Sequence, residues 1–481
     1  MQDRRAAPIP IRAEPALRAD VGPGFFAVIV AAICVAWLQL GIPVYGDLYW
    51  QIPEGVQILG GHLPTTIPYA IDAGPWLDHE WLFEAFAALA WTHHAYPVFA
   101  IVCDLAYAFF PAFLYATLRR ERGDLAAGVV ALLAAAAIFF TNPYRPQTFA
   151  YYFFTIAIVE FRNRRPNYWL LFATTALWAN VHASVIAAPA FGLLFATGAA
   201  IETGWRSART RTLAACAGTA ALATLVTPHG IGLWSYAFGL VSGAPFTQYI
   251  REWRALSFAD PVAWPVAACI GILVVSGVPL ERRNASALLV SFAAFALCAE
   301  HVRQAAFLVP TIGWLLCERL ESVIARCIPA AQLAQAGSSR RLGGAPLVAA
   351  AAVLALGGAA SRLGQITPDV PGPAADAAWL AEHHHIAGNA FVSRPWAAYL
   401  PFRGDRVRLL IDSHADPYDA AVWRDVHALE TLEPTYRDVL RRRDLHGVVI
   451  ERTSALASAL GREPGWRYAG SRGTMAAFVR E

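Results

Sequence analysis

The chain has 481 residues, of which 57% are hydrophobic and only 15% are charged, and its formal net charge at pH 7 is +3. This apolar fraction lies well above that of an ordinary soluble domain, so a polytopic membrane protein is predicted. The small net charge argues against a nucleic-acid partner. The seven cysteines lack CxxC spacing and lie in or beside apolar segments, which argues against both a disulfide framework and a cysteine-based zinc site.

The first apolar run, residues 24–42, follows a tail with four arginines, residues 1–23. Because the run is too long for the apolar core of a secretory signal, we interpret it as a retained first span. Apolar runs predict about eleven spans in all, at 24–42, 96–118, 124–141, 147–160, 168–182, 184–202, 211–227, 262–280, 285–300, 303–320 and 345–360.

Arginines recur in every second connection between these spans, for example at 119–123, 161–165 and 281–283. The positive-inside rule therefore places the N-terminal tail in the cytoplasm. The alternate connections, among them residues 45–94, lie on the extracytoplasmic face together with the part of the chain after residue 366.

The first of these outer loops, residues 45–94, contains no Lys or Arg. Its apolar spacing predicts a short interfacial helix that starts at Pro53 and ends at Gly60. A second helix is predicted from Asp78 onward, and its apolar stripe consists of Leu82, Ala85, Phe86 and Leu89.

Polar and ionisable residues near the membrane collect in the outer connections. They are Asp47, Asp78, His79, Glu80, Arg145, His182, His229, Arg251, Glu252, His301 and Arg303. Taken singly, Asp78 fits a helix N-cap, Arg145 and Arg303 fit snorkelling side chains, and His182 and His229 fit packed histidines. A polar cavity that opens outward explains their convergence on one face better than these separate accounts.

In the last part of the chain, residues 366–481, apolar runs shorten and strand-like segments alternate with helical ones. This pattern predicts a small α/β domain with a largely parallel sheet. Asp412, His414 and Asp416 follow the predicted strand 406–412, at the strand end where such sheets tend to bind ligands. The histidines at 383–385 fit the positively charged C-terminal end of a helix better than a metal site.

Several stretches give the chain a family resemblance. They include GDLYWQIPEGVQILGGHLPTTIPY, GPWLDHEWLFE, YRPQTFAYYFF, LWANVHASV, TPHGIGLW and HVRQAAFLVP. In these segments and in their order the chain resembles a group of bacterial membrane proteins of the GT-C glycosyltransferase superfamily. It departs from the group at Gln51, at Ala183-Ser184 and at His414, where the group usually has His, a pair of glycines and Arg.

The resemblance implies a mostly α-helical GT-C domain at residues 24–360, followed by the α/β domain, in the bacterial inner membrane. It implies the transfer of a sugar from a polyprenyl-phosphate-linked donor to a glycan, lipid or protein acceptor on the outer face. Asp47 matches the family's first-loop acid and is the candidate general base.

The other expected roles are less specific. Asp78, His79 and Glu80 would complete the catalytic group, with a divalent cation possible, and the donor phosphate would meet cations or histidines. Those phosphate-binding candidates are Arg145, His182, His229, Arg251 and Arg303, whereas Glu252, His301 and Asp412 would bind the acceptor or support the structure. A non-catalytic partner in envelope polysaccharide synthesis and a transporter remain as alternatives.

Overall fold

The computed structural model describes residues 46–139, 141, 144–327 and 372–481. The predicted tail and the spans predicted at 24–42 and 345–360 lie outside the described residues. What is described divides into a pair of helices in the first loop, a helical bundle and a C-terminal α/β domain.

The first loop forms α1 (Leu48–Leu59) and α2 (Trp81–Thr92). Pro53 lies inside α1, so the prediction that it starts the helix is wrong. The amides of Trp50 and Gln51 already bond to the Asp47 carbonyl, which begins the helix upstream. Proline then removes only one backbone hydrogen bond, and burial of the residues around it offsets that loss. The predicted end at Gly60 is confirmed.

The orientation of α2 is the reverse of the one expected for a soluble protein. Phe86 and Leu89 of the predicted apolar stripe are 39% and 46% exposed, whereas Glu84 is fully buried. The helix starts with Glu80 at its N-cap, so the alternative account of Asp78 as the N-cap does not hold. An apolar stripe has the same period whether it faces a protein core or lipid, so the pattern alone does not fix its direction.

The helical bundle contains α3 (Tyr96–Leu118), α4 (Asp124–Ile138), α5 (Gln147–Arg162), α6 (Tyr168–Ala179), α7 (Ala187–Thr203), α8 (Ala208–Ala223), α9 (Gly232–Val241), α10 (Ala263–Ser276), α11 (Ala285–Glu300) and α12 (Ala305–Cys327). A 3-10 turn, Ala183–Ile186, leads into α7. Each span predicted between residues 96 and 320 coincides with one of these helices, and α9 was not predicted.

The number of spans is not confirmed by helix length. Within the described residues, Tyr96–Leu118 and the continuous segment Ala183–Thr203 are long and apolar enough to cross a membrane. Several other apolar helices are shorter than a membrane crossing usually requires.

The bundle packs closely where residues are small. A Cβ on Gly198 of α7 would lie 2.5 Å from the backbone nitrogen of Ser286 on α11.

The C-terminal domain is a five-stranded sheet in the order β2-β1-β3-β5-β4, made of β1 (Gly388–Val392), β2 (Val407–Leu409), β3 (Gly447–Glu451), β4 (Trp466–Arg472) and β5 (Met475–Arg480). Its helices are α13 (Gly372–His383), α14 (Arg394–Ala397), α15 (Tyr399–Phe402), α16 (Ala420–Thr431), α17 (Tyr436–Arg442) and α18 (Ala455–Leu460).

This sheet is mixed, so the prediction of a largely parallel sheet is wrong. Strand β1 pairs in parallel with β2 and β3, whereas β5 pairs antiparallel with β3 and β4. The antiparallel part arises because β4 and β5 form a hairpin, whose tight turn uses Gly473 at a φ of +51°.

The first loop docks on the free edge of this sheet. The Leu409 amide donates to the Tyr69 carbonyl at 2.7 Å, and the Ile71 amide donates to the Leu409 carbonyl at 2.9 Å. The Gly74 amide donates to the Pro417 carbonyl at 2.8 Å. Backbone pairing therefore joins residues 69–74 to the C-terminal domain and covers the β2 edge.

Candidate functional site

Four charged side chains form a continuous chain of ion pairs. Arg145 Nη2 lies 2.8 Å from Asp47 Oδ2, and Arg145 Nη1 donates to both Glu252 oxygens at 3.0 and 2.8 Å. Arg303 Nη1 lies 3.5 Å from Glu252 Oε1. The guanidinium of Arg303 also lies over the Trp253 ring, 4.4 Å from its centroid.

These four residues come from the ends of different elements. Asp47 is the N-cap of α1 and Arg145 lies two residues before α5. Glu252 lies in the 3-10 turn Arg251–Trp253, and Arg303 lies in the 3-10 turn between α11 and α12. Helix ends leave side chains free to converge because no regular packing face constrains them there.

The electrostatics of the chain differ at its two carboxylates. Burial raises the pKa of Asp47, and the opposing charge of Arg145 does not offset it. Burial also acts to raise the pKa of Glu252, but Arg145 and Arg303 together outweigh it and the pKa is lowered. Glu252 is therefore the stable counter-ion of both arginines, and Asp47 is the carboxylate that takes a proton more readily.

Beside this chain lies a second cluster, His79, Glu80 and His182. The Nε2 atoms of His79 and His182 lie 3.3 and 3.6 Å from the same oxygen, Glu80 Oε1. Gln51 donates to the other oxygen, Oε2, at 2.9 Å. Ser184 Oγ lies 2.7 Å from His182 Nδ1 and so directs His182 Nε2 toward Glu80.

This cluster has the composition of a metal site. One ligand atom from each of the three residues lies within 4.8 Å of the other two. Among the described residues, these three form the group of His, Cys, Asp or Glu side chains that could hold a metal ion. Burial lowers the pKa of His182 to about 3, so its imidazole is neutral. Burial also acts to lower the pKa of His79, but its contact with Glu80 outweighs burial and raises the pKa, so a cation that binds there must displace a proton from His79. Burial opposes ionisation of Glu80, but hydrogen bonding and the charge of His79 lower its pKa to about 2.

Asp78 lies directly behind the cluster and is fully buried. Its Oδ1 accepts the Glu80 amide at 3.1 Å, and its carbonyl oxygen lies 2.5 Å from His229 Nε2. Burial raises the pKa of Asp78 to about 6. Asp78 and His229 therefore hold the segment that presents His79 and Glu80, and neither forms part of the three-residue cluster.

Two other predicted residues lie apart from these contacts. Arg251 makes a two-pronged pair with Asp260, with distances of 3.0 and 3.2 Å, and its side chain is 77% exposed. Although it is adjacent to Glu252 in sequence, it is not brought to the ion-pair chain. His301 is buried, and its Nδ1 lies 2.7 Å from the Trp253 carbonyl, so it supports the turn that carries Glu252.

Asp412 is fully buried, and its hydrogen-bonding capacity is filled. Oδ2 contacts Tyr69 Oη at 2.8 Å and His414 Nδ1 at 2.7 Å. Oδ1 accepts from Tyr418 Oη at 2.9 Å and from the His414 amide at 3.1 Å. A carboxylate that accepts from four donors has no lone pair left for a ligand. Of the two roles expected for Asp412, acceptor binding and structural support, the geometry therefore favours structural support.

Sequence reasoning missed Trp76 and Tyr236. Both donate to Asp416 Oδ2, at 3.1 and 2.9 Å, and the Tyr236 ring packs 4.7 Å from the His79 ring. Asp416 was noted only as part of a strand-end motif, yet it connects the C-terminal domain to the histidine cluster. The available signal was the position of Tyr236 shortly after the TPHG corner that carries His229.

Glu54 was also missed, although it is buried in α1. Its Oε1 lies 3.1 Å from His414 Nε2. Burial raises the pKa of Glu54 to about 7 even though the facing histidine opposes the shift. Burial alone would lower the pKa of His414, but Asp412 and Glu54 raise it well above its ordinary value.

Searches by sequence found no matching family model and no matching curated protein. Solved structures do match. Archaeal oligosaccharyltransferase AglB from Archaeoglobus fulgidus, in complex with an inhibitory peptide and a dolichol-phosphate, has a TM-score of 0.56 at 12% identity, over 95% of this chain and 74% of its own. The same enzyme was also solved in complex with Zn and sulfate, with a TM-score of 0.55 at 11% identity, over 95% of this chain and 73% of its own.

Two further structures are similar. ArnT from Cupriavidus metallidurans bound to undecaprenyl phosphate has a TM-score of 0.50 at 16% identity, over 94% of this chain and 97% of its own. Arabinofuranosyltransferase AftD from Mycobacteria has a TM-score of 0.52 at 13% identity, over 96% of this chain and 40% of its own. This chain therefore shares the fold of these solved transferases, in agreement with the GT-C fold that the family resemblance implied.

Proposed function

We propose that the protein is a multi-pass membrane glycosyltransferase that uses a polyprenyl-phosphate-linked sugar. It transfers the sugar to an envelope acceptor at the extracytoplasmic face of the bacterial inner membrane. The observation that carries this proposal is the convergence, on a GT-C fold, of a first-loop carboxylate with two arginines and a His-Glu-His cluster. The dolichol-phosphate and undecaprenyl phosphate in similar structures support a lipid phosphate as the donor's carrier.

The arginines are suited to the phosphate of the donor. Arg145 and Arg303 flank Glu252 from two sides, and their side chains are 21% and 17% exposed. Phosphate oxygens form the same charge-assisted hydrogen bonds with guanidinium groups as carboxylates do. The phosphate would take the place of one carboxylate on Arg145 and stabilise the negative charge that grows as the sugar leaves.

Competition for Arg145 gives Asp47 its role. Arg145 pairs with Asp47 at 2.8 Å. A donor phosphate that takes up this guanidinium frees the Asp47 carboxylate to accept the proton of the acceptor hydroxyl. Because burial raises the pKa of Asp47, its carboxylate is more basic than an exposed one.

The His79, Glu80 and His182 cluster fits a divalent cation. Two imidazole nitrogens and one carboxylate oxygen are the usual ligands of a catalytic zinc site. The zinc complex of the archaeal enzyme supports this assignment. A bound cation would polarise a phosphate oxygen of the donor.

The C-terminal domain is proposed to lie outside the cytoplasm and to face the acceptor. It contributes Asp416, which reaches the histidine cluster through Tyr236. This placement agrees with the distribution of arginines, which puts the first loop and the C-terminal domain on the same side of the membrane.

The proposal is tested by mass spectrometry of envelope lipids and glycans from cells in which a variant replaces the wild-type protein. Asp47→Asn and Arg145→Gln are expected to abolish one glycan product and to accumulate its lipid-linked donor. Removing a general base lowers a rate by roughly 10²–10⁴-fold. Arg251→Gln is the matched control, because Arg251 is adjacent to Glu252 in the chain but pairs only with Asp260 among the residues described here.

A normal glycan profile with Asp47→Asn at normal protein levels would overturn the base assignment. Loss of product with Arg251→Gln as well would point to a general disturbance of the turn that carries Glu252. A proteoliposome assay that detects substrate flux without a new glycosidic bond would instead favour a transporter.

A further inference from the structure

A buried charged triad joins the first loop to the C-terminal domain. His414 Nδ1 lies 2.7 Å from Asp412 Oδ2, and His414 Nε2 lies 3.1 Å from Glu54 Oε1. The three side chains are 0–5% exposed. Glu54 and His414 are 360 positions apart in the chain, so this contact exists only in the folded protein.

The triad is held by its surroundings as well as by charge. The Trp50 ring stacks on the His414 ring, with centroids 4.0 Å apart and planes inclined by 30°, and Trp76 packs edge-on at 5.1 Å. A cation is stabilised over an aromatic face. Removal of one partner from such a buried charged group leaves the others uncompensated, so the triad acts as one unit.

Two adjacent faces of α1 carry different contacts. Trp50 and Glu54 are one helical turn apart and meet His414. Asp47 and Gln51 are also one turn apart and meet Arg145 and Glu80, respectively. Because an α-helix is rigid over so short a length, the contact that fixes one face also fixes the other.

The start of α1 rests on the C-terminal domain at a second place. A Cβ on Gly46 would lie 2.6 Å from the Pro395 carbonyl oxygen, so only glycine fits there. The Tyr49 ring packs against Tyr399 at 4.9 Å and against Phe402 at 5.6 Å. The candidate base Asp47 lies between these contacts, directly after Gly46.

We propose that His414 is a positioning residue, which holds α1 through Glu54 and Trp50 so that Asp47 reaches Arg145 and Gln51 reaches Glu80. The C-terminal domain thereby completes the site in the first loop. This inference rests on the proposed function for its catalytic meaning, but its physical content is the placement of α1.

The placement is tested by hydrogen–deuterium exchange on the full-length protein in lipid nanodiscs. His414→Gln is expected to speed amide exchange in residues 48–59 by roughly tenfold or more, while exchange in α17 and α18 stays unchanged. Arg437→Gln is the control, because it removes an exposed pair with Glu463 in the same domain without contacting α1.

A second pair of variants separates positioning from folding. His414→Arg keeps a cation between the two carboxylates, so exchange in α1 should stay close to the wild-type rate. Glu54→Gln keeps a hydrogen bond to the His414 imidazole, so its exchange in α1 should also stay close to the wild-type rate. Unchanged exchange of α1 in His414→Gln would overturn the proposal, and so would an equal rise across the whole chain.

The glycan profile gives the catalytic readout. His414→Gln is expected to lower product at least tenfold with Asp47 intact, and His414→Arg is expected to restore it. Full product from His414→Gln with a loosened α1 would overturn the positioning role. If the wild-type protein yields no product, the proposed function fails, and the exchange rates alone decide whether His414 holds α1.

Discussion

The closest approach of the two first-loop helices occurs at Gly55, and Gly55→Ala is predicted to force them apart. An alanine Cβ there would lie 2.5 Å from the carbonyl carbon of Glu84 and 2.7 Å from the Ala88 Cβ. Carbon atoms pack best at about 3.5–4.0 Å, so α1 and α2 must separate by roughly an ångström. Overpacking of this kind costs about 1–3 kcal/mol.

The separation also affects the site. Gln51, one turn before Gly55, donates to Glu80 at 2.9 Å across the same interface. A buried hydrogen bond to a charged group is worth about 1.5–3 kcal/mol, and a shift of this size would break it. We therefore expect Gly55→Ala to lower both the Tm, by roughly 2 °C or more, and the glycan product.

The assay is thermal unfolding of the purified protein in detergent, followed by the glycan profile of complemented cells. Gly218→Ala is the matched control, because a Cβ at that exposed position of α8 meets no atom within 4 Å. Alanine is favoured over glycine in a helix interior by about 0.8–1 kcal/mol, so this control should be neutral or slightly stabilising. Equal Tm values for the two variants would refute the packing argument.

Three further outcomes are expected. Burial raises the pKa of Glu54 from 4.5 to about 7. The stability that Glu54 contributes is therefore full below pH 4.5 and is lost as the pH rises to 7. The Tm of Glu54→Gln should fall less over this pH range than that of the wild type. His182→Ala should abolish zinc binding in isothermal titration calorimetry, whereas His229→Ala, which alters a contact to the Asp78 backbone, should leave it within a few-fold. Arg209 donates at 2.6 Å to the Phe161 carbonyl in the last turn of α5 and to the carbonyl of Asn163, the C-cap of that helix. Arg209→Gln should therefore destabilise the protein by about 1–2 kcal/mol, and a Tm equal to that of the exposed Arg211→Gln variant would contradict this role.

Much of the fold was predictable because apolar runs and strand signals are local. The span predicted at 96–118 coincides with α3, and the strand predicted at 406–412 overlaps β2. The direction in which α2 faces was not predictable, because hydrophobic periodicity gives a stripe but not its environment. Strand β2 was predicted at 406–412 but ends at Leu409, because the residues after it leave the sheet and place Asp412 and His414 in their buried hydrogen bonds.

The site was predictable in its membership more than in its pairings. Asp47, Arg145, Glu252 and Arg303 could be grouped because they all fall in outer connections. The sequence does not separate Arg251 from Arg303, since both are arginines near helix ends and only the fold gives one of them Asp260 as a partner. Glu54 looked like an ordinary surface residue because the histidine that explains its burial lies in the last domain.

The backbone pairing of residues 69–74 with the β2 edge also constrains the order in which the protein can mature. Tyr69 and Asp412 are bonded across 343 positions, and the chain is synthesised from its N-terminus. Glu54 and the backbone of residues 69–74 therefore lack their partners in the C-terminal domain until nearly the whole chain has been translated. A nascent or truncated chain that ends before the sheet would lack the contacts that hold α1 against the C-terminal domain, so the proposed site would reach its final geometry only after the sheet has been synthesised.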